Sequence, residues 1–138
     1  MENSFILDPR LEGDTLEVTD LRLCRVRLMN DRDVPWLILV PRRSGVVELF
    51  DLSADERAQL MEETTLAARA LSRLHKPDKV NLGALGNMVR QFHVHIIARY
   101  QTDRAWPGAI WNTGPATPYD SATAAGMLDA LRAELARG

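Results

Sequence analysis

The sequence predicts an α+β fold, a mostly antiparallel sheet with one long helix packed on it and a second helix at the C-terminus. Three observations lead there. Segments of strand and helix character follow in the order strand, strand, helix, strand, strand, helix. Trp36 to Val40 is a continuous apolar run, as expected of a strand buried on both faces and central in its sheet. Between the strand pairs lies a capped amphipathic pattern of about six turns.

The elements follow in order. Asp8-Pro9 to Asp14-Thr15 reads as turn and loop. A strand region runs from about Leu16 to Met29. Its apolar residues alternate at Leu21 and Leu23, then shift phase to Cys24, Val26 and Leu28, which predicts a bulge or bend near Cys24. Asn30 to Asp33 is a polar turn, and Pro41-Arg42-Arg43 ends the central strand. Ser53 and Glu56 form a capping-box pattern, with Asp55 adding negative charge to the first turn. Leu60, Met61, Thr64, Ala67, Ala68, Leu71 and Leu74 then recur at helical spacing, and Pro77 stops the helix. Val80 to Leu85 is a short strand, Gly86-Asn87 a turn, and Gln91 to Tyr100 a strand. Trp106 to Gly108 and Gly114 to Pro118 are loop. From Ser121, the residues Ala124, Met127, Leu128, Leu131 and Leu135 share one helix face.

Composition narrows the function. A length of 138 residues suits one domain, spanning 1–138. A net charge of −2 argues against a nucleic-acid backbone binder, which needs a basic bias. Met1 to Ser4 has no basic or apolar leader, and no apolar stretch approaches a membrane span. One cysteine, Cys24, leaves no disulfide framework and no cysteine-rich zinc site. A cytoplasmic protein without membrane contact is expected.

The chemistry concentrates in Gly86 to Arg99. Side chains alternate across a strand, so Phe92, Val94, Ile96 and Ala98 share an apolar face suited to the long helix. Gln91, His93, His95 and Arg99 share the other. Three readings of that polar row stand at this point. It is a solvent-facing sheet surface, a two-histidine metal site lacking an adjacent third ligand, or a catalytic pair.

The segment resembles the histidine-triad signature, His-φ-His-φ-His-φ-φ with φ apolar. Met29-Asn30-Asp31, Val40-Pro41-Arg42, Asn81-x-Gly83 and the long helix fall in the same order, so the resemblance covers about residues 15 to 100. Trp106-Pro107-Gly108…Trp111 is similar to small bacterial members. The resemblance implies a histidine-triad (HIT)-like fold of about five strands and a nucleotide hydrolase or nucleotidyltransferase. His93 would attack the α-phosphorus of a nucleoside phosphate derivative, forming a nucleotidyl-histidine that water releases. His95 would contact phosphate oxygens and help the leaving group. It further implies Asp31 against the ribose, Asn81 and Asn87 at phosphate or ribose, Leu28 in the base pocket, no cofactor or metal, an adenine nucleotide as partner, and a homodimer.

The chemistry is reasonable, because a free imidazole titrates near pH 6.5 and offers a neutral nucleophile. Covalent catalysis splits one hard displacement into two. The departure is Gln91, where the pattern has its first histidine. Glutamine can support by hydrogen bonding but cannot titrate. The alternative is therefore a nucleotide-binding protein of the same fold with weak or lost activity. Arg99 is the arginine best placed for a phosphate, ahead of Arg42, Arg43 and Arg90. His75 reads as a helix C-terminal histidine favouring the dipole. Trp106 and Trp111 suit either a pocket wall or packing, and Cys24 a small buried hydrophobe.

Overall fold

The structure, a computed structural model, describes residues 4–138. Its sheet has five strands: β1 (Thr15–Asp20), β2 (Cys24–Met29), β3 (Trp36–Pro41), β4 (Lys79–Gly83) and β5 (Val94–Arg99). They lie in the order β1-β2-β3-β5-β4, with every neighbouring pair antiparallel. This is the expected α+β architecture. The apolar run Trp36–Pro41 is buried along its whole length in the middle of the sheet, as its composition requires.

Among the described residues three α-helices accompany the sheet: α1 (Pro9–Asp14), α2 (Ala54–His75) and α3 (Ser121–Arg137). α2 starts where its capping box places it, with Ser53 and Glu56 bonding each other's backbone. It ends at Lys76, a left-handed C-cap before Pro77. α2 and α3 cover one sheet face around Val26, Leu28, Leu37, Leu39, Leu71, Ile96 and Leu131. The opposite face packs against the N-terminal segment and the chain after β5, through Leu7, Leu11, Val34, Trp36, Ile38, Ile97 and Ile110.

Several expectations are corrected. Asp8 to Thr15 contains α1, because Asp8 accepts from the backbone N–H of Arg10 and Pro9 supplies the fixed φ of a first helical turn. The Leu16–Met29 region is two strands. The phase change at Leu21 to Cys24 is the hairpin itself, and the bulge lies in β1 between Glu17 and Thr19. Met61 leaves the core at 63 % exposure, whereas Glu63 is buried. Its carboxylate accepts the N–H groups of Leu23 and Cys24, each at 2.8 Å, so the hairpin's buried donors are satisfied from α2. Cys24 is fully buried, and burial pushes its thiol upward.

The histidine strand also starts later than expected. Phe92 donates its backbone N–H to Val46 outside the sheet ladder, and β5 begins at Val94. Alternation still carries through, so the residues on either side of Val94 keep one common face.

Candidate active site

His93 and His95 stand together on the sheet face turned away from α2. Both side chains are buried, and their ring centroids lie 4.9 Å apart at 66°. They line a cleft of about 210 Å³ with Met29, Ile38, Asn87 and Trp111. Asp14, at the end of α1, also borders it. A larger surface cleft of about 430 Å³ lies near the start of α2, but there Arg43 is spent on Glu56 at 2.6 Å and no imidazole is present.

The hydrogen-bond partners fix which ring nitrogens carry protons. His93 Nδ1 is 2.6 Å from the backbone oxygen of Gln91. A carbonyl only accepts, so Nδ1–H donates and the neutral ring keeps its lone pair on Nε2. His95 Nδ1 is 3.0 Å from Trp36 Nε1. An indole N–H only donates, so His95 Nδ1 accepts and its proton sits on Nε2. Burial, and then the neighbouring His93, push the His95 imidazole down to about 4. The pair thus offers one lone pair and one N–H.

β5 positions both rings, and its neighbours shape the surroundings. His95 is opposite Ile38 on β3 and Gly83 on β4. A Cβ at position 83 would come within 2.5 Å of the Trp111 ring. Glycine is therefore needed for the Trp111 indole to approach His95, which it meets edge-on at 5.3 Å. Gly86, at φ +76°, turns the chain into the Asn87 side of the cleft.

The other expected residues divide. Asn87 lines the cleft. Gln91 does not sit in the row with the histidines. Its side-chain oxygen accepts from Asp8 N–H at 2.8 Å and its amide donates to Ile6 O at 2.9 Å, pinning the N-terminal segment. Its backbone oxygen is the group hydrogen-bonded to His93. Leu28 is fully buried on the helix-covered face, and Met29, one residue on, lines the cleft. A one-residue step along a strand changes faces, which accounts for the misplacement.

Asp31 is 1 % exposed and paired with Arg104 at 3.0 Å, with Oδ1 accepting from the N–H of Asp33 and Thr117. These contacts stabilise its own turn and tie it to the chain at Thr117 and Arg104. Arg99 is equally buried. Its guanidinium forks onto Asp103 at 2.8 and 3.0 Å and donates to Asn81 Oδ1 and Gly108 O, each at 2.8 Å. Arg99 and Asn81 thus hold each other beneath the loop. Trp106 lies over the same guanidinium at 5.9 Å. Arg42 is bonded to backbone oxygens of Leu21 and Arg22. At His75, burial lowers the imidazole, the opposite of the charged helix-end role expected.

Sequence reasoning missed Trp36, Met29, Ile38 and Asp14. Alternation on β2 and β3 carried the signal for Met29 and Ile38, since both stand opposite the helix-facing set. Nothing local marked Trp36 or Asp14, whose importance comes from which elements fold beside them. Among the described residues, no group of three or more His, Cys, Asp or Glu could hold a metal, and no helix is long and apolar enough to cross a membrane.

Comparison with known proteins agrees with this architecture. A HIT domain family model matches residues 10–102. A histidine triad protein from Bradyrhizobium japonicum is similar at 43% identity and a TM-score of 0.92, over 95% of this chain and 98% of that one. One from Sinorhizobium meliloti gives 43% and 0.94, over 97% and 99%. One from Marinobacter aquaeolei gives 42% and 0.94, over 96% and 97%. No curated protein matches the sequence. With the family model covering most of the chain and the paired histidines on β5, the protein belongs to the HIT domain family.

Proposed function

We propose that the protein is a nucleotide hydrolase or nucleotidyltransferase in which His93 Nε2 attacks the α-phosphorus of a nucleoside phosphate derivative. The observation that carries this reading is the 2.6 Å contact of His93 Nδ1 with the Gln91 carbonyl. It leaves the unprotonated nitrogen of a buried imidazole for the cleft, beside a second imidazole that donates. Membership of the HIT family supports nucleotide chemistry in general.

The substrate class in this reading is a dinucleoside polyphosphate or a nucleoside phosphoramidate of adenine. Leu11, Met29 and Ile38 supply an apolar wall for the base, and Asn87 and His95 supply donors for phosphoryl oxygens. With Asp31 spent on Arg104, Asp14 is the carboxylate offered to the ribose. We further propose a homodimer formed along β4. Among the described residues no strand pairs with the outer edge of β4, and Leu82, Leu85 and Met88 beside it are exposed at 55, 54 and 75 %. Light scattering at micromolar concentration should give twice the chain mass, and a monomer mass would refute it.

Turnover of a panel of adenosine and guanosine derivatives, followed by release of monophosphate, tests the activity. Wild type should turn over at least one member and His93→Ala none. Equal turnover in both would sink the reading. A silent wild type that still binds monophosphate would make this a nucleotide-binding member of the family.

A further inference from the structure

We infer that Trp36 holds His95 as a neutral Nε2–H donor that cannot deliver a proton, so the site selects nucleotide derivatives whose leaving group departs as a stable oxyanion over those that release an amine. The inference rests on the His93 reading above and narrows its substrate class.

Trp36 opens β3 and faces the same side of the sheet as His95, where it is 7 % exposed. Its Nε1–H lies 3.0 Å from His95 Nδ1, with ring centroids 5.7 Å apart. Trp111 closes the other side, and Gly83 clears the room for it. The groups facing His95 add no compensating negative charge at Nδ1. His93 is an imidazole, and Ile38, opposite His95 on β3, is apolar. Asp14 borders the same cleft, but the Trp36 indole occupies the Nδ1 side.

The consequence follows from proton counting. An imidazolium carries N–H on both nitrogens. A second proton on His95 would have to go to Nδ1, where the Trp36 N–H already points. Donor would then meet donor in a buried site, and a hydrogen bond would be exchanged for an unsatisfied group. His95 can therefore give a hydrogen bond to a phosphoryl oxygen without serving as a general acid.

In the first step the His93 Nε2 lone pair forms the N–P bond, and the bond from phosphorus to the leaving atom breaks with its electron pair. The His93 ring carries the positive charge, with Nδ1–H held by the Gln91 carbonyl. Water then attacks phosphorus, the N–P pair returns to Nε2, and the proton of water goes to solvent. A phosphate, polyphosphate or carboxylate accepts the departing pair unaided. An amine must be protonated as it leaves, and neither imidazole in the cleft is placed to supply that proton.

Trp36→Phe keeps an aromatic ring and removes the N–H. The first readout needs no turnover. Nitrogen-15 NMR of the histidine side chains in wild type should show His95 protonated at Nε2. In Trp36→Phe, His95 should pass to a tautomer mixture and protonate at higher pH. Trp111 Nε1 has no hydrogen-bond partner among the described residues, so Trp111→Phe should leave that tautomer in place. The second readout is the ratio of turnover on an adenosine phosphoramidate to that on a dinucleoside tetraphosphate, which should rise about tenfold in Trp36→Phe. A leaving-group series on wild type alone should show a steep fall in rate as the leaving-group pKa rises, and keeps the test open if the variant fails to fold. An Nδ1–H tautomer in wild type, an unchanged tautomer in the variant, or a flat leaving-group dependence would each overturn the inference. Wild-type silence on all substrates would remove the His93 reading and the selectivity with it, while the tautomer would still be read by NMR.

Discussion

The two faces of the sheet are built from alternate residues of the same strands and differ in how many buried polar pairs they add to an apolar core. Under α2 and α3 the contacts are aliphatic, from Leu28, Leu37, Leu39, Ile96, Leu71 and Leu131. On the histidine face, buried polar groups are joined in pairs. Arg27 donates to Thr15, Asp31 meets Arg104, Arg99 meets Asp103 and Asn81, and His95 meets Trp36. Apolar burial is strong but non-directional, whereas each of these polar pairs has a preferred distance and angle. Both faces bury apolar side chains, and the histidine face adds the directional pairs that aim two imidazoles and fix their protons.

That contrast can be broken from either side. The largest effect on stability is expected at Asp103, whose carboxyl the Arg99 guanidinium holds well below the usual carboxylate range. Asp103→Ala leaves that guanidinium buried and unpaired and should destabilise by about 3–5 kcal/mol in urea unfolding. The pair's contribution is present above the ordinary carboxylate pKa and is lost as pH falls through the depressed one. A loss below about 1 kcal/mol, the range of a surface pair, would mean that the loop is not held by this contact.

On the other face, Leu37→Ala should cost roughly 2–5 kcal/mol through the cavity it leaves. Turnover per folded molecule should stay close to wild type, since Leu37 lies beneath the sheet from the cleft. A large fall in kcat without loss of fold would erase the distinction between the faces.

Acid should weaken the protein through His95. Its native imidazole stands near 4 against 6.5 for an unrestrained ring, so between those values the unfolded chain binds a proton that the native chain refuses. Stability should therefore fall as pH drops from 6.5 to 4, by roughly 3 kcal/mol from this group. His75, also lowered by burial, acts in the same direction. Unfolding midpoints across that range, compared with Trp36→Phe, isolate the His95 part, and a parallel pair of curves would contradict it.

The smallest effect is expected at Gln91. Gln91→Ala loses two bonds to the N-terminal segment and should cost about 1–2 kcal/mol. Gln91→His, which restores the family pattern, should not raise turnover, because the side chain here works on Ile6 and Asp8. A rise in kcat with Gln91→His would show that the missing histidine limits the chemistry.

Much of this was legible in the sequence wherever a pattern was local. Ser53 with Glu56 located the start of α2, the run from Trp36 located the central strand, and alternation around Val94 put His93 and His95 on one face. What the sequence left hidden lies where partners are distant in the chain. Asp31 and Arg99 have the residue types of ligand contacts, and their partners Arg104 and Asp103 sit in an irregular loop that carries no periodic signal, while Asn81 is held by Arg99. Leu28 failed by one residue of register, and Gln91 by a side chain that turned to a segment more than eighty positions away.

The most direct test of the central claim is to trap the covalent intermediate. Wild type mixed with a dinucleoside tetraphosphate, quenched early under mildly alkaline conditions to preserve a P–N bond, would be measured as intact protein and then mapped. A single nucleotidyl adduct on His93, absent from His93→Ala and with steady-state turnover reduced roughly 10⁴-fold or more in that variant, is the expected result. Hydrolysis with no adduct, or an adduct on another residue that persists in His93→Ala, would contradict the account.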